Sequence, residues 1–155
     1  MSSERFAHAT PFALPDVAAT HALAARLAQR LPPGGVLALV GELGAGKTEF
    51  TRGFARALGV PAEQPVSSPS FVLLQIYEGT RGTLAHFDAY FAEGEFDLEQ
   101  AGFHDLRKQG ARVIIEWAER VAELIPEDSI WLQLEHDAPG RIARLVGAPR
   151  EERAC

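Results

Sequence analysis

The sequence predicts an α/β fold in three layers, with helices on both faces of a mixed, mainly parallel sheet. Residues 36–40 (Val-Leu-Ala-Leu-Val) form an unbroken apolar run, which is typical of a parallel strand covered on both faces. After a glycine-rich segment, apolar side chains recur at Phe50, Phe54 and Leu58 with the spacing of a helix. A hairpin pattern within residues 71–87 makes part of the sheet antiparallel.

The other elements follow from capping residues, apolar periodicity and turn residues. Asp16 can cap a helix that carries Leu23, Leu27 and Leu31 on one stripe and ends at the Pro-Pro-Gly-Gly segment 32–35. Downstream patterns predict a loop at residues 61–69, hairpin strands at 71–77 and 83–87, and an acidic helix at 95–108 that a glycine weakens. They then predict a buried strand at 112–116, a short helix at 118–124 and two more strands at 129–136 and 141–146.

The composition predicts one domain over residues 1–155, with an ordered core at about 10–147 between short polar tails. A chain of 155 residues with 46% hydrophobic content is long enough for one well-filled core and short for two. The net charge of −6 and the lack of a basic stretch disfavour a protein that binds nucleic acid on its own. The arginines near the C-terminus are predicted to form a solvated edge and tail: Arg141, Arg144, Arg150 and Arg153.

Cysteine usage and hydropathy predict a cytoplasmic protein. The only cysteine is Cys155, so no internal disulfide can form, as is usual in a reducing compartment. The first residues lack the apolar segment of a secretory signal, and no apolar run approaches the roughly 20 residues of a membrane span.

Residues 41–48 (Gly-Glu-Leu-Gly-Ala-Gly-Lys-Thr) match the complete phosphate-loop pattern G-x-x-x-x-G-K-[ST]. Glycines let the backbone wrap a phosphate, and the start of the next helix adds a positive dipole end. Lys47 is expected to contact the β- and γ-phosphates, and the Thr48 hydroxyl to ligate Mg²⁺. The motif predicts the fold of a P-loop NTPase, with nucleotide-binding residues Glu42, Leu43, Gly44, Ala45, Gly46, Lys47, Thr48 and Glu49.

Two acids are candidates to complete this site, because phosphate loops work with a carboxylate at the end of a neighbouring strand. Glu116 ends the apolar run Val113–Ile115, and Asp88 ends a strand in which His86 lies two residues earlier. Either acid can hold Mg²⁺, directly or through water, or orient an attacking water. The expected edge of the sheet is less definite for Asp88, since its strand belongs to the hairpin.

Two neighbouring features have both a functional and a structural interpretation. The hydroxyls of Ser68 and Ser70, held by Pro69 between them, can reach a γ-phosphate as switch loops do, or form a plain polar turn. Trp117, directly after the second acid, can pack under a nucleotide or belong to the core or an interface.

Four segments in this order and spacing resemble the TsaE (YjeE) family, small bacterial ATPases of tRNA threonylcarbamoyladenosine synthesis. They are Gly-Glu-Leu-Gly-Ala-Gly-Lys-Thr at 41–48, Val-Ser-Ser-Pro-Ser-Phe at 66–71, His-Phe-Asp-Ala-Tyr at 86–90 and Ile-Glu-Trp-Ala-Glu-Arg at 115–120. Ser70 stands where the family usually has threonine and keeps the hydroxyl, whereas Phe91 replaces a common arginine. Thr20 matches a family threonine near the adenine.

The resemblance implies a Mg²⁺-dependent ATPase that works with TsaB and TsaD on the adenosine next to the anticodon, with tRNA held mainly by the partners. Hydrolysis of ATP would reset the TsaB–TsaD complex between turnovers. Lys47 would hold the phosphates, Thr48 and Glu116 the Mg²⁺, and Asp88 would orient the water directly or through the metal shell. No arginine is an obvious finger in cis, so a partner would complete the transition-state charge.

Two other functions are alternatives to this one. A small-molecule kinase needs a lid with clustered arginines, and the sequence between Gly79 and Gly110 offers only Arg81, Arg107 and Lys108. An ATP-sensing interaction module would bind ATP to dock partners without turnover. A GTPase is disfavoured because the chain lacks an Asn-Lys-x-Asp motif.

Overall fold

The computed structural model describes residues 2–42 and 44–147, with the side chains of residues 2 and 3 left out. Within these residues the helices are α1 (Ser2–Arg5), α2 (Val17–Arg30), α3 (Lys47–Ala57), α4 (Glu95–Gln100), α5 (Phe103–Lys108) and a 3₁₀ helix (Ala118–Leu124). The strands are β1 (Phe12–Leu14), β2 (Val36–Val40), β3 (Leu74–Gly79), β4 (Gly82–Asp88), β5 (Arg112–Glu116), β6 (Ile130–Asp137) and β7 (Gly140–Val146). Predictions that involve Leu43, Arg150, Arg153 and Cys155 lie outside the described residues.

The described strands form one sheet in the order β1-β7-β6-β2-β5-β4-β3. Four central strands are parallel, since β2 pairs in parallel with both β5 and β6, and β4 pairs in parallel with β5. The edges are antiparallel, where β3 joins β4 on one side and β1, β7 and β6 join on the other. The predicted mixed, mainly parallel sheet with an antiparallel hairpin is confirmed.

The core lies on both faces of this sheet, which confirms the three layers. All five residues of β2 are buried, as the unbroken apolar run predicts. Leu37 and Leu39 pack in the cluster that contains side chains of α2 and α3. The alternate residues Val36, Ala38 and Val40 pack in a second cluster with side chains of α4, α5 and the 3₁₀ helix.

Three predicted elements differ from the observed ones, and the first two differ for a local reason. The first hairpin strand begins at Leu74 and not at residue 71, because the amide of Leu73 (φ +70°) bonds back to the Pro69 carbonyl at 2.7 Å in a turn. The helix over 95–108 is divided into two at Gly102, whose φ of +107° a helix cannot contain. The helix over 118–124 is a 3₁₀ helix with a kink at Val121.

The N-terminal segment contributes two short elements that hydrophobic patterning did not predict. Strand β1 pairs antiparallel with β7. It has only three residues, which is too short for an alternation of apolar and polar side chains to be recognised. Phe6, which follows α1, is buried in the second core cluster. In the part of the chain that the structure describes, no helix has the length and apolar character needed to cross a membrane.

Candidate functional site

The phosphate loop connects β2 to α3 and has the backbone that its glycines allow. Gly44 and Gly46 have φ values of +82° and +100°, a region that other residues rarely adopt. A Cβ on Gly41 would lie 2.6 Å from the carbonyl oxygen of Leu134, so the loop can pass β6 only without a side chain. No side chain caps α3 at its start, where Gly46 is the N-cap residue. The first amides of α3 are therefore not satisfied by a cap.

Lys47 is held over this loop in a confined position, with a side chain that is 6% exposed. Its Nζ donates to the Gly41 carbonyl oxygen and lies 3.5 Å from that of Glu42. The ammonium also lies 4.2 Å from the ring centroid of Trp117, within the range of a cation–π contact.

Burial lowers the pKa of Lys47 below its ordinary value, because desolvation disfavours the charged form. Three nearby carboxylates raise it without restoring that value, those of Glu116, Asp88 and Glu119. The site thus combines a buried cation with a surplus of negative side chains.

Asp88 and Glu116 lie side by side at the edge of the sheet that carries the phosphate loop. Strand β4 is antiparallel to β3 but parallel to β5, and Asp88 is in register with Glu116. Glu116 in turn is in register with Leu39, one residue from the end of β2. The carboxyl ends of the parallel strands meet here, so both acids lie next to the loop. They are 1% and 2% exposed.

The carboxylate of Asp88 is fixed by three hydrogen bonds. Its Oδ2 accepts from the hydroxyls of Ser68, at 2.6 Å, and Ser70, at 2.8 Å. Its Oδ1 accepts from the backbone N–H of Tyr90 at 2.9 Å. The two serines that the sequence predicts to reach a γ-phosphate are therefore at the site, where they donate to a carboxylate.

The carboxylate of Glu116 has a different partner, the imidazole of His86. The Nε2 of His86 lies 2.6 Å from Oε2 of Glu116, and the histidine is fully buried. Strand β4 thus supplies one candidate acid directly and holds the other through a residue two positions earlier.

A cleft of about 490 Å³ brings most of the predicted site residues together. Those that line it are Gly44, Gly46, Lys47, Thr48, Glu49, Ser68, Ser70, Asp88 and Glu116, and the other lining residues are Phe71, Tyr90, Phe91, Trp117 and Arg141. Trp117 contacts both the lysine and Tyr90, with ring centroids of the aromatic pair 5.0 Å apart.

Other predicted residues lie outside this cleft or have other partners. Thr20 lines a separate pocket of about 140 Å³ that shares Gly46, Glu49 and Arg141 with the main cleft. The Ala45 side chain is buried in the core, and Glu42 lines a third pocket beside the loop.

Glu49 lines the main cleft, but its carboxylate is already paired. It lies 3.0 Å from His21 Nε2 on α2 and 2.5 Å from an Arg52 guanidinium nitrogen on its own helix. The hydrogen bond from Arg52 lowers the pKa of Glu49, and that from His21 adds to the effect. Arg52 also donates to the Val66 carbonyl oxygen at 3.1 Å, which ties α3 to the serine loop, the segment 66–70 that carries Ser68 and Ser70.

Arg141 is a site residue that the sequence reasoning missed. The prediction of a solvated arginine edge is suited to Arg144, which pairs with Glu135, but it is wrong for Arg141. The Nε of Arg141 is buried without a partner among the described residues, and a Cβ on Gly46 would lie 3.4 Å from it. The only signal is its position at the start of β7, and nothing in the local sequence links that strand to the phosphate loop.

The donor set suits Mg²⁺ in the presence of a nucleotide. Thr48 and Glu116 offer hard oxygen atoms in one cleft, and Mg²⁺ usually takes one or two protein oxygens together with water and phosphate. Residues 2–42 and 44–147 contain no group of three or more His, Cys, Asp or Glu side chains that could hold a metal alone. Phosphate oxygens would therefore have to supply part of the coordination.

Comparisons with known proteins give the family of the chain. The family model described as "Threonylcarbamoyl adenosine biosynthesis protein TsaE" matches residues 14–144. Proteins named tRNA threonylcarbamoyladenosine biosynthesis protein TsaE are similar in Streptomyces coelicolor (36% identity, covering 84% of this chain and 82% of the relative) and in Treponema pallidum (39%, covering 71% and 79%). The crystal structure of Bacillus subtilis YdiB superposes with a TM-score of 0.74 at 27% identity and covers 94% of this chain and 90% of that one. The chain therefore belongs to the TsaE family of threonylcarbamoyladenosine biosynthesis proteins.

Proposed function

We propose that this chain is a Mg²⁺-dependent ATPase that acts with TsaB and TsaD in threonylcarbamoyladenosine modification of tRNA next to the anticodon. The observation that carries the proposal is the register of Asp88 with Glu116 beside an intact phosphate loop. It supplies two buried carboxylates, a lysine and a hydroxyl in one cleft. These are the groups that hydrolysis of a nucleoside triphosphate needs.

In this mechanism the chain's residues bind and orient the reactants. The loop amides and Lys47 hold the phosphates, and the lysine must exchange its bond to the Gly41 carbonyl for one to a phosphate oxygen. Thr48 and Glu116 hold Mg²⁺, which when bound neutralises charge on the phosphate oxygens. Asp88 orients the attacking water, since its own carboxylate is kept in one orientation by donors on both oxygens.

The base and ribose are proposed to lie toward the pocket that contains Thr20. This pocket adjoins the phosphate loop at Gly46 and is bordered by the Arg141 side chain. An unpaired guanidinium nitrogen next to the loop favours contact with an anionic or polar part of the nucleotide. Arg141 would thus supply in cis a positive charge that the sequence did not reveal.

A partner is proposed to cover the mouth of the cleft. Phe71 is 90% exposed and stacks on Phe91, with ring centroids 5.0 Å apart, and Val72 beside them is also exposed. Contiguous exposed aromatic groups of this kind favour a protein contact. The net charge of −6 supports tRNA binding through the TsaB–TsaD partners, and such a role is served in the cytoplasm.

The test is phosphate release from ATP and Mg²⁺, measured with the protein alone and with cognate TsaB–TsaD added. We expect strong stimulation by the partners that is lost in Lys47→Ala. The control is Lys108→Ala, because Lys108 is the only other lysine and is exposed on α5. Tight ATP binding without stimulated release would contradict the ATPase and favour an ATP-sensing module, whereas a phosphorylated metabolite would favour a kinase.

A further inference from the structure

His86 is a fully buried polar residue to which the proposed mechanism gives no role. It lies on β4 in register with Ile114 of β5, one step below the pair of Asp88 and Glu116 on the same face of the sheet. Its imidazole makes one hydrogen bond among the described residues, between Nε2 and Oε2 of Glu116 at 2.6 Å. The other ring nitrogen, Nδ1, is buried and has no partner within residues 2–42 and 44–147.

This asymmetry determines which ring nitrogen carries the hydrogen. A hydrogen on Nδ1 would be a buried donor without an acceptor, which costs on the order of 1–3 kcal/mol. A hydrogen on Nε2 has a carboxylate oxygen at hydrogen-bond distance. The imidazole therefore donates to Oε2 of Glu116 through Nε2.

The donation leaves Glu116 with one occupied oxygen and one free oxygen. The side chain lines the cleft, and no hydrogen bond to Oε1 is found within residues 2–42 and 44–147. Rotation of the carboxylate would break the bond from His86 in a buried environment, where a lost hydrogen bond is costly. The hydrogen bond from His86 thus fixes the orientation of the Glu116 carboxylate in the cleft.

We propose that His86 is a positioning residue that holds Glu116 with Oε1 presented to the metal. This inference rests on the proposed function, in which Glu116 helps to hold Mg²⁺. Residues behind metal ligands usually change metal affinity or activity by about 10- to 100-fold when they are replaced. A histidine that only filled the core would instead affect folding and leave the metal dependence of nucleotide binding unchanged.

The experiment compares His86→Leu with His86→Gln by calorimetric titration of ATP in Mg²⁺ and in EDTA. Leucine fills space but cannot donate, whereas the glutamine amide can place an N–H near the position of Nε2. We expect His86→Leu to lose about tenfold or more of the tightening by Mg²⁺, with ATP affinity in EDTA unchanged. His86→Gln should recover most of the tightening.

A second pair of variants covers the case in which His86→Leu does not fold. His86→Asn keeps an amide of similar chemistry, but its shorter side chain reaches only the position of Nδ1, so it should behave unlike His86→Gln. In addition, His86→Asn/Glu116→Gln should show the same Mg²⁺ tightening as Glu116→Gln alone, because a positioning residue has no effect without the group that it positions.

The outcomes separate this inference from the proposed function. If the wild-type protein binds ATP equally with and without Mg²⁺, the proposed function and this inference both fail. If the wild-type protein shows the tightening and His86→Leu or His86→Asn keeps it in full, only the role of His86 is overturned. Equal losses in Mg²⁺ and in EDTA would likewise overturn it, since they would indicate a general structural effect.

Discussion

Replacing Ser68 and Ser70 by alanine removes two of the three hydrogen bonds that hold Asp88. Hydrogen bonds to charged groups contribute about 1.5–3 kcal/mol when they are buried, and less where water can replace the donor. Ser68 is exposed, so its loss alone should destabilise the fold by only about 0.5–1 kcal/mol, and the half-buried Ser70 by about 1–2 kcal/mol.

The double variant should cost more than the sum of the two single variants. Either hydroxyl alone still satisfies Oδ2 of Asp88, whereas without both the buried carboxylate keeps only the Tyr90 amide. We expect about 3–4 kcal/mol for the double variant, in the range found when a buried charged group loses its partners.

The assay is equilibrium unfolding in urea, with the slope against urea concentration checked for a constant unfolded state. Ser67→Ala is the matched control, because Ser67 lies in the same loop and contacts Tyr77 through its backbone only. This control should change stability by less than about 0.5 kcal/mol. A double variant within that same margin of the wild-type protein would refute the idea that the serine loop is fastened to the sheet through Asp88.

Two further changes test the phosphate loop. Arg141→Ala should weaken ATP binding by about tenfold, because a charge-assisted contact is lost. The control Arg144→Ala, which removes a partly exposed pair with Glu135, should leave ATP affinity unchanged. Equal ATP affinities of the two variants by calorimetry would contradict the role of Arg141. Lys47→Met should stabilise the ligand-free protein at neutral pH and remove a rise in stability toward alkaline pH. Stability rises with pH because the pKa of Lys47 is lower in the folded protein than in the unfolded chain. Between these two pKa values the unfolded chain binds more protons, so a rise in pH favours the folded protein. Below the folded pKa the cost of the buried charge is fully present. Unfolding in urea across this pH range measures both effects, and parallel pH profiles for the two proteins would contradict them.

The sequence predicts those parts of the fold whose signals are local. Strands β2 and β5 have the predicted bounds, because each contains a continuous run of buried apolar residues. Asp16 caps α2 as expected, with its side chain accepting from the Ala19 amide at 2.8 Å. The phosphate loop likewise carries its own conformational signal in its glycines.

The parts that the sequence did not reveal depend on contacts between distant segments. Arg141 reaches the phosphate loop only because β7 pairs with β6 and β6 with β2. The hydrogen bond from Ser70 to Asp88 joins residues 18 positions apart. A serine at this position could equally contact a γ-phosphate, so the residue type does not distinguish the two contacts. Local sequence patterns show which side chains are present but not which distant partner each of them contacts.

The direction of β4 explains why Asp88, at the end of the hairpin, lies at the same edge of the sheet as Glu116 of β5. Strands β3 and β4 are joined by the two residues Thr80 and Arg81, so they must run antiparallel to each other. If β3 had been inserted next to β5, Asp88 would lie one strand further from the phosphate loop. Because β4 takes that position in parallel with β5, both carboxylates reach the loop while the hairpin keeps its short turn.

The charges at this edge support the proposed binding of a nucleotide together with Mg²⁺. Lys47 has a lowered pKa although three carboxylates lie near it, so its burial outweighs their attraction. Its ammonium is satisfied by the Gly41 carbonyl and the ring of Trp117, both weaker partners than an anion. A phosphate at the loop would relieve the cost of the buried cation, while a divalent cation would relieve the repulsion between Asp88 and Glu116. Each ligand therefore offsets an unfavourable charge that the other would increase, so we expect the proposed nucleotide and metal to bind together.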